Sequence, residues 1–163
     1  MNRKQRLRVS AAVALMVMAF GCTPTTAQKS NTNNSENLIK KENKKMKVKE
    51  LNAEEFKKLV FDYTNHPNEW VFEGNRPAVI DFYATWCGPC KATAPAVEAI
   101  AGQYDGKIDV YKIDVDKQEE LAALFGVQSI PTILFVPMKG QPTKNVGAMT
   151  QQMLDQAVKE LLL

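Results

Sequence analysis

Histidine is nearly absent from this chain: His66 stands alone among 163 residues. That leaves little room for histidine-based acid–base chemistry, and His66 is not expected to be catalytic. Cysteine is scarce as well, with Cys22, Cys87 and Cys90 the three in the chain. A zinc site on Cys87 and Cys90 would need two more ligands, and only His66 and the distant Cys22 are available, so no metal is expected. The apolar stretch Val9 to Phe20 has 12 residues, short of the about 20 that span a bilayer. The net charge of +3 is uneven: residues 47–163 carry 12 cations against 16 acids. A basic face on a folded domain is therefore missing, which excludes a nucleic-acid partner. No internal repeat is present.

The N-terminal region reads as an address. Arg3, Lys4, Arg6 and Arg8 precede the apolar stretch, the order of an export signal over residues 1–21. It ends in Ala19-Phe20-Gly21-Cys22, which resembles the lipobox of bacterial lipoproteins. That resemblance implies lipid on Cys22, a membrane anchor and a periplasmic or other extracytoplasmic location. The alternative is ordinary cleavage after Thr25-Thr26-Ala27, which discards Cys22. Residues 22–46 are rich in Thr, Asn, Ser and Lys, too polar to offset the entropy of ordering them, and are expected to form a flexible tether.

From residue 47 onward strands and helices alternate. Lys47 to Leu51 is a strand candidate, and Asn52 with Glu55 three residues on marks a capping-box start to a helix. Ala78 to Ala84 is a nearly continuous apolar run, suited to a buried central strand. A helix is expected from about Cys87 to Tyr104, a strand at Val110–Ile113 and a short helix at Gln118–Phe125. Strands at Thr132–Val136 and Asn145–Gly147 follow. Thr150 then caps a last helix with Met153, Leu154, Ala157, Val158 and Leu161 on one face. This alternation argues for an α/β sheet covered by helices.

Cys87 and Cys90 are three residues apart where a helix begins, so their side chains are neighbours. Unpaired N–H groups and partial positive charge at that helix end favour a thiolate, most of all at Cys87. Pro89 suits the first helical turn, and Gly88 leaves room for a partner chain. A purely structural disulfide is the bland alternative, but so short a loop contributes little chain-entropy stabilisation.

The segment Asp81-Phe82-Tyr83-Ala84-Thr85-Trp86-Cys87-Gly88-Pro89-Cys90-Lys91 resembles the active-site stretch of the thioredoxin family. The likeness continues through Pro95, Lys112, Ile130-Pro131-Thr132, Gly140 and Val146-Gly147-Ala148, and it covers residues 47–163. It implies a thioredoxin fold, a central mixed sheet with helices on both faces. It also implies a protein-disulfide oxidoreductase whose redox-active group is the Cys87–Cys90 disulfide, with no separate cofactor. Cys87 matches the attacking thiolate and Cys90 the resolving thiol. Asp81 matches the buried carboxylate that moves the Cys90 proton, and Lys112 the buried lysine paired with it. Pro131 matches the cis-proline beside the cysteines. Trp86, Gly88, Pro89, Ile130, Gly147 and Ala148 match the substrate groove.

Two departures stand out. Tyr83 replaces the family's usual Trp. The connection Asn65 to Arg76, with His66, Trp70 and Phe72, is longer than the family pattern, and is expected to be a short helical extension packed on the surface or a partner contact near the active face. The implied partners are protein disulfides and a membrane or soluble thiol–disulfide electron donor or acceptor, with the protein itself a monomer. Gly88-Pro89 and Ile130 resemble reducing thioredoxins, so a reductase outside the cytoplasm is expected. The alternatives are an oxidant or isomerase re-oxidised by a membrane partner, which the compartment favours, and a redox-silent binding module.

Overall fold

Ala78-Val79-Ile80-Asp81-Phe82-Tyr83 places bulky residues on both faces of one strand, which only a strand covered on both sides tolerates. In the computed structural model, which describes residues 48–163, this is the middle strand of a five-stranded sheet. The segments expected to be an export leader and a tether, with Cys22, and Lys47 lie outside the described residues.

The strands are β1 (Val48–Glu50), β2 (Ala78–Tyr83), β3 (Asp109–Asp114), β4 (Thr132–Val136) and β5 (Thr143–Val146). Their spatial order is β1-β3-β2-β4-β5. β3 is parallel to both β1 and β2, while β4 is antiparallel to β2 and to β5. The helices are α1 (Ala53–Leu59), α2 (Gly88–Gln103), α3 (Glu119–Leu124) and α4 (Gln151–Leu161).

Alternation along the strands divides the core into two layers. Val79, Val110, Ile133 and Phe135 pack with Val97 and Ile100 of α2 and with Leu154 and Val158 of α4. On the other face Ile80, Phe82, Ile113 and Leu134 pack with Phe56 of α1 and Leu121 of α3. The sheet is therefore mixed and covered on both faces, as expected.

Local signals explain the element ends. Asn52 and Glu55 form the full capping box of α1, and Thr150 caps α4 through the Met153 N–H. α2 begins at Gly88, with Cys87 as its cap and Pro89 in its first turn. β5 starts at Thr143, two residues before the expected Asn145.

Two expectations are corrected. Of the proposed apolar face of α4, Leu154 and Val158 are buried and Ala157 partly so, but Met153 and Leu161 are exposed. The helix meets the core along a narrower stripe than its composition suggests, and Leu162 just beyond it is buried instead. The connection Asn65–Arg76 forms turns and extended chain with no helix. Its Trp70 ring sits 4.6 Å from that of Phe61 and 6.1 Å, edge-on, from that of Phe125. Phe72 packs on the same layer. The segment is a strap that extends the α1–α3 layer. Pro67 and Gly74 interrupt any helical run there.

Candidate active site

The end of β2 and the start of α2 deliver the two cysteines. The Cys87 and Cys90 sulfurs form a disulfide, with their Cα atoms 5.3 Å apart. Cys87 is the N-cap of α2, and its Sγ accepts from the Cys90 N–H at 3.1 Å. The sulfur thus occupies the place where a capping oxygen ordinarily satisfies an orphan N–H. The same N–H and the helix dipole would stabilise a thiolate there. Both cysteines are buried, packed on Ala84, with Tyr83, Val115 and Ile130 around them.

The loop before β4 completes one wall. The Ile130–Pro131 peptide is cis, and Ile130 packs on the cysteine cluster. Gly147 donates its N–H to the Pro131 carbonyl at 2.8 Å. Gly147 has a φ of 106°, a conformation that disfavours any side chain there. Pro131, Ile130 and Gly147 are thereby joined to the cysteines, while Ala148 is exposed beyond them. Gly88 and Pro89 are also exposed, and beyond its chain neighbours and its own helix backbone no described atom lies within 4 Å of where a Gly88 Cβ would stand. Trp86 is 68% exposed, so it is no core filler. Its Nε1–H donates to Asp116 at 2.7 Å, which fixes the ring at the surface.

Asp81 lies on the α2 side of the sheet, 4% exposed. Its Oδ1 has no hydrogen-bond partner among the described residues. Burial pushes its pKa up to about 7, against a smaller lowering by the Lys112 charge. Asp81 and Cys90 both line a cavity of about 350 Å³, together with Lys91, Glu98 and Lys112. A proton acceptor with a pKa near neutrality therefore faces the inner cysteine across a shared space.

Lys112 departs from expectation. Its side chain is 38% exposed and its ion pair is with Glu50, at 3.6 Å. It acts on Asp81 only through space. Glu50 and Asp116 are site residues that sequence reasoning missed. Asp116 meets Trp86 across 30 residues of chain, so its role shows only in the fold. Glu50 needed the pairing of β1 with β3, which no local pattern reveals.

Two cysteines at a helix start, a cis-proline loop against them and a buried carboxyl behind define a dithiol–disulfide exchange centre on an α/β sheet. The comparisons agree with that class. A family model described as Thioredoxin matches residues 47–160. The thioredoxin of Borreliella burgdorferi is 46% identical over 110 residues, which cover 68% of this chain and 93% of that protein. Thioredoxin 1 of a Nostoc species is 38% identical over 92 residues, 56% of this chain and 86% of that protein. The crystal structure of chloroplastic thioredoxin z superposes with a TM-score of 0.58 at 26% identity, over 71% of this chain and 95% of that one. The chain belongs to the thioredoxin family. It is a protein-disulfide oxidoreductase that uses its own cysteine pair as the redox group, in a family that acts on protein disulfides with a reductant as partner.

Proposed function

We propose that the protein reduces protein disulfides outside the cytoplasm, tethered to a membrane by lipid on Cys22. The observation that carries the catalytic part is the placement of Cys87 at the cap of α2 beside the Ile130–Pro131 cis peptide. The reduced Cys87 thiolate attacks one sulfur of a substrate disulfide. A mixed disulfide forms and one substrate thiolate leaves. Asp81 takes the proton of Cys90, whose thiolate attacks the Cys87 sulfur and expels the second substrate sulfur as a thiolate, to which Asp81 can return the proton. Two electrons have passed to the substrate, and the product is the oxidised Cys87–Cys90 pair. Pro131 lacks an N–H, which leaves the Ile130 backbone as the partner for an extended substrate segment. Trp86, Gly88, Pro89, Gly147 and Ala148 form the surface around it.

The location rests on the cationic and apolar leader and on Cys22 at its end. The reducing direction rests on Gly88-Pro89 and Ile130, which resemble reducing members of the family. The test is the redox state of Cys87 and Cys90 in cells, fixed with acid and followed by alkylation. A mostly reduced pair is expected. A mostly oxidised pair would assign the protein to disulfide formation, with a membrane acceptor drawing electrons from it.

A further inference from the structure

Lys112 has a carboxylate on each side. β3 lies between β1 and β2, parallel to both, and Lys112 is in register with Glu50 on one and Asp81 on the other. In-register residues on adjacent strands project from the same face. Glu50, Lys112 and Asp81 therefore form one row on the α2 side of the sheet. The Lys112 ammonium has a carboxylate to either side, and in the structure its ion pair is with Glu50, at 3.6 Å.

Glu50 is itself held in place. The Tyr83 hydroxyl donates to its Oε2 at 3.1 Å, and the Lys117 ammonium donates to its Oε1 at 3.1 Å. The Lys112 Nζ also lies 5.4 Å from the centre of the Tyr83 ring, within reach of a cation–π attraction. Glu50 and the Tyr83 ring are thus the neighbours of the Lys112 ammonium, and Asp81 Oδ1 has no hydrogen-bond partner among the described residues.

We propose that Glu50 is a positioning residue for disulfide exchange: with Tyr83 and Lys117 it holds the Lys112 ammonium away from Asp81, so that the carboxyl facing Cys90 stays unpaired and available for proton transfer. This rests on Asp81 as the proton acceptor of Cys90. The other groups around Asp81 are Cys90, Lys91 and Glu98 from α2, Tyr83 from its own strand and the uncharged Ile133 in register on β4. Lys112 is thus the cation that Glu50 controls. Release of Lys112 toward Asp81 would favour the carboxylate over the acid and weaken it as a proton acceptor.

The test follows the Asp81 carboxyl carbon by NMR across a pH titration of the oxidised protein. Glu50→Gln is expected to lower the Asp81 midpoint by about one pH unit, the low end for a carboxylate gaining a close cation. Tyr83→Phe should move it the same way by less. In a Lys112→Met background, Glu50→Gln should have little effect, which separates repositioning of Lys112 from the direct field of Glu50. The pH profile of mixed-disulfide resolution should move with the titration. An unchanged midpoint in Glu50→Gln, or an equal fall without Lys112, overturns the proposal. Resolution that is unaltered in Asp81→Asn overturns instead the reading on which it rests, whatever the titration shows.

Discussion

Asp81 is a carboxyl group buried at the centre of the sheet, with a folded-state pKa of about 7 against an ordinary value of 3.8. Between those values the unfolded chain has already lost the proton that the folded protein keeps. The native state then binds more protons, so stability falls as pH rises from about 4 to about 7 and stays reduced above that. A gap of this size corresponds to roughly 4 kcal/mol at most. Asp81→Asn removes the titration. We expect the oxidised variant to be about 2–4 kcal/mol more stable than the wild type at pH 8, with the difference gone below pH 4. Urea unfolding at the two pH values reads it directly. A variant no more stable than the wild type at pH 8 would mean that burial does not hold the carboxyl protonated. Asp81 was legible in the sequence because it stands in an apolar run six residues before Cys87. The position of Lys112 was legible too, but its partner was not. The choice between Asp81 and Glu50 depends on a register between strands more than 60 residues apart in the chain.

The elements that position the site carried strong local signals. The capping box of Asn52 and Glu55, Pro89 in the first turn of α2 and the bulky run of β2 each named an element from a few neighbouring residues. The strap 65–76 did not, because what organises it is the α1–α3 layer on which it lies. Its aromatic residues looked equally compatible with a surface helix, and only the tertiary partners Phe61 and Phe125 decide otherwise. The residues packed on the cysteines come from other segments, so the strap belongs with the core layer on which Trp70 and Phe72 pack. Trp70→Ala should therefore cost stability, about 2–3 kcal/mol, somewhat under the usual loss for a large aromatic because Trp70 is only partly buried. The denaturation midpoint should fall with little change in slope. Reduction of a small-molecule disulfide, measured well below the unfolding transition, should stay near the wild-type rate. An undiminished midpoint would show that the strap is not bound to the core in this way.

At the scale of the whole molecule the charge divides the chain. Residues 47–163 carry a net −4, while the first 46 carry nine cations and two acids. An acidic domain gains nothing from an anionic lipid surface, so electrostatics alone would not keep the catalytic unit at a membrane. The short lysine-rich stretch near residues 40–47 supplies some attraction, but that attraction is screened by salt within about 10 Å. A lipid on Cys22 would supply the missing term, since acyl chains contribute about 0.8 kcal/mol for each buried CH₂. The 24 residues that follow Cys22 in the tether, residues 23–46, would then, if flexible, let the domain range roughly 25–30 Å from its anchor. The two possibilities differ in their salt response. If Cys22 is lipidated, the wild-type protein should remain with the membrane fraction in high salt, and Cys22→Ala should lose both incorporated lipid precursor and membrane association. The Cys87–Cys90 centre should keep its activity on a soluble disulfide in that variant, because the anchor acts on encounter and not on exchange. If the wild-type protein takes up no lipid precursor, cleavage near Ala27 becomes the better account, and the chemistry of Cys87 then belongs to a freely diffusing exported domain.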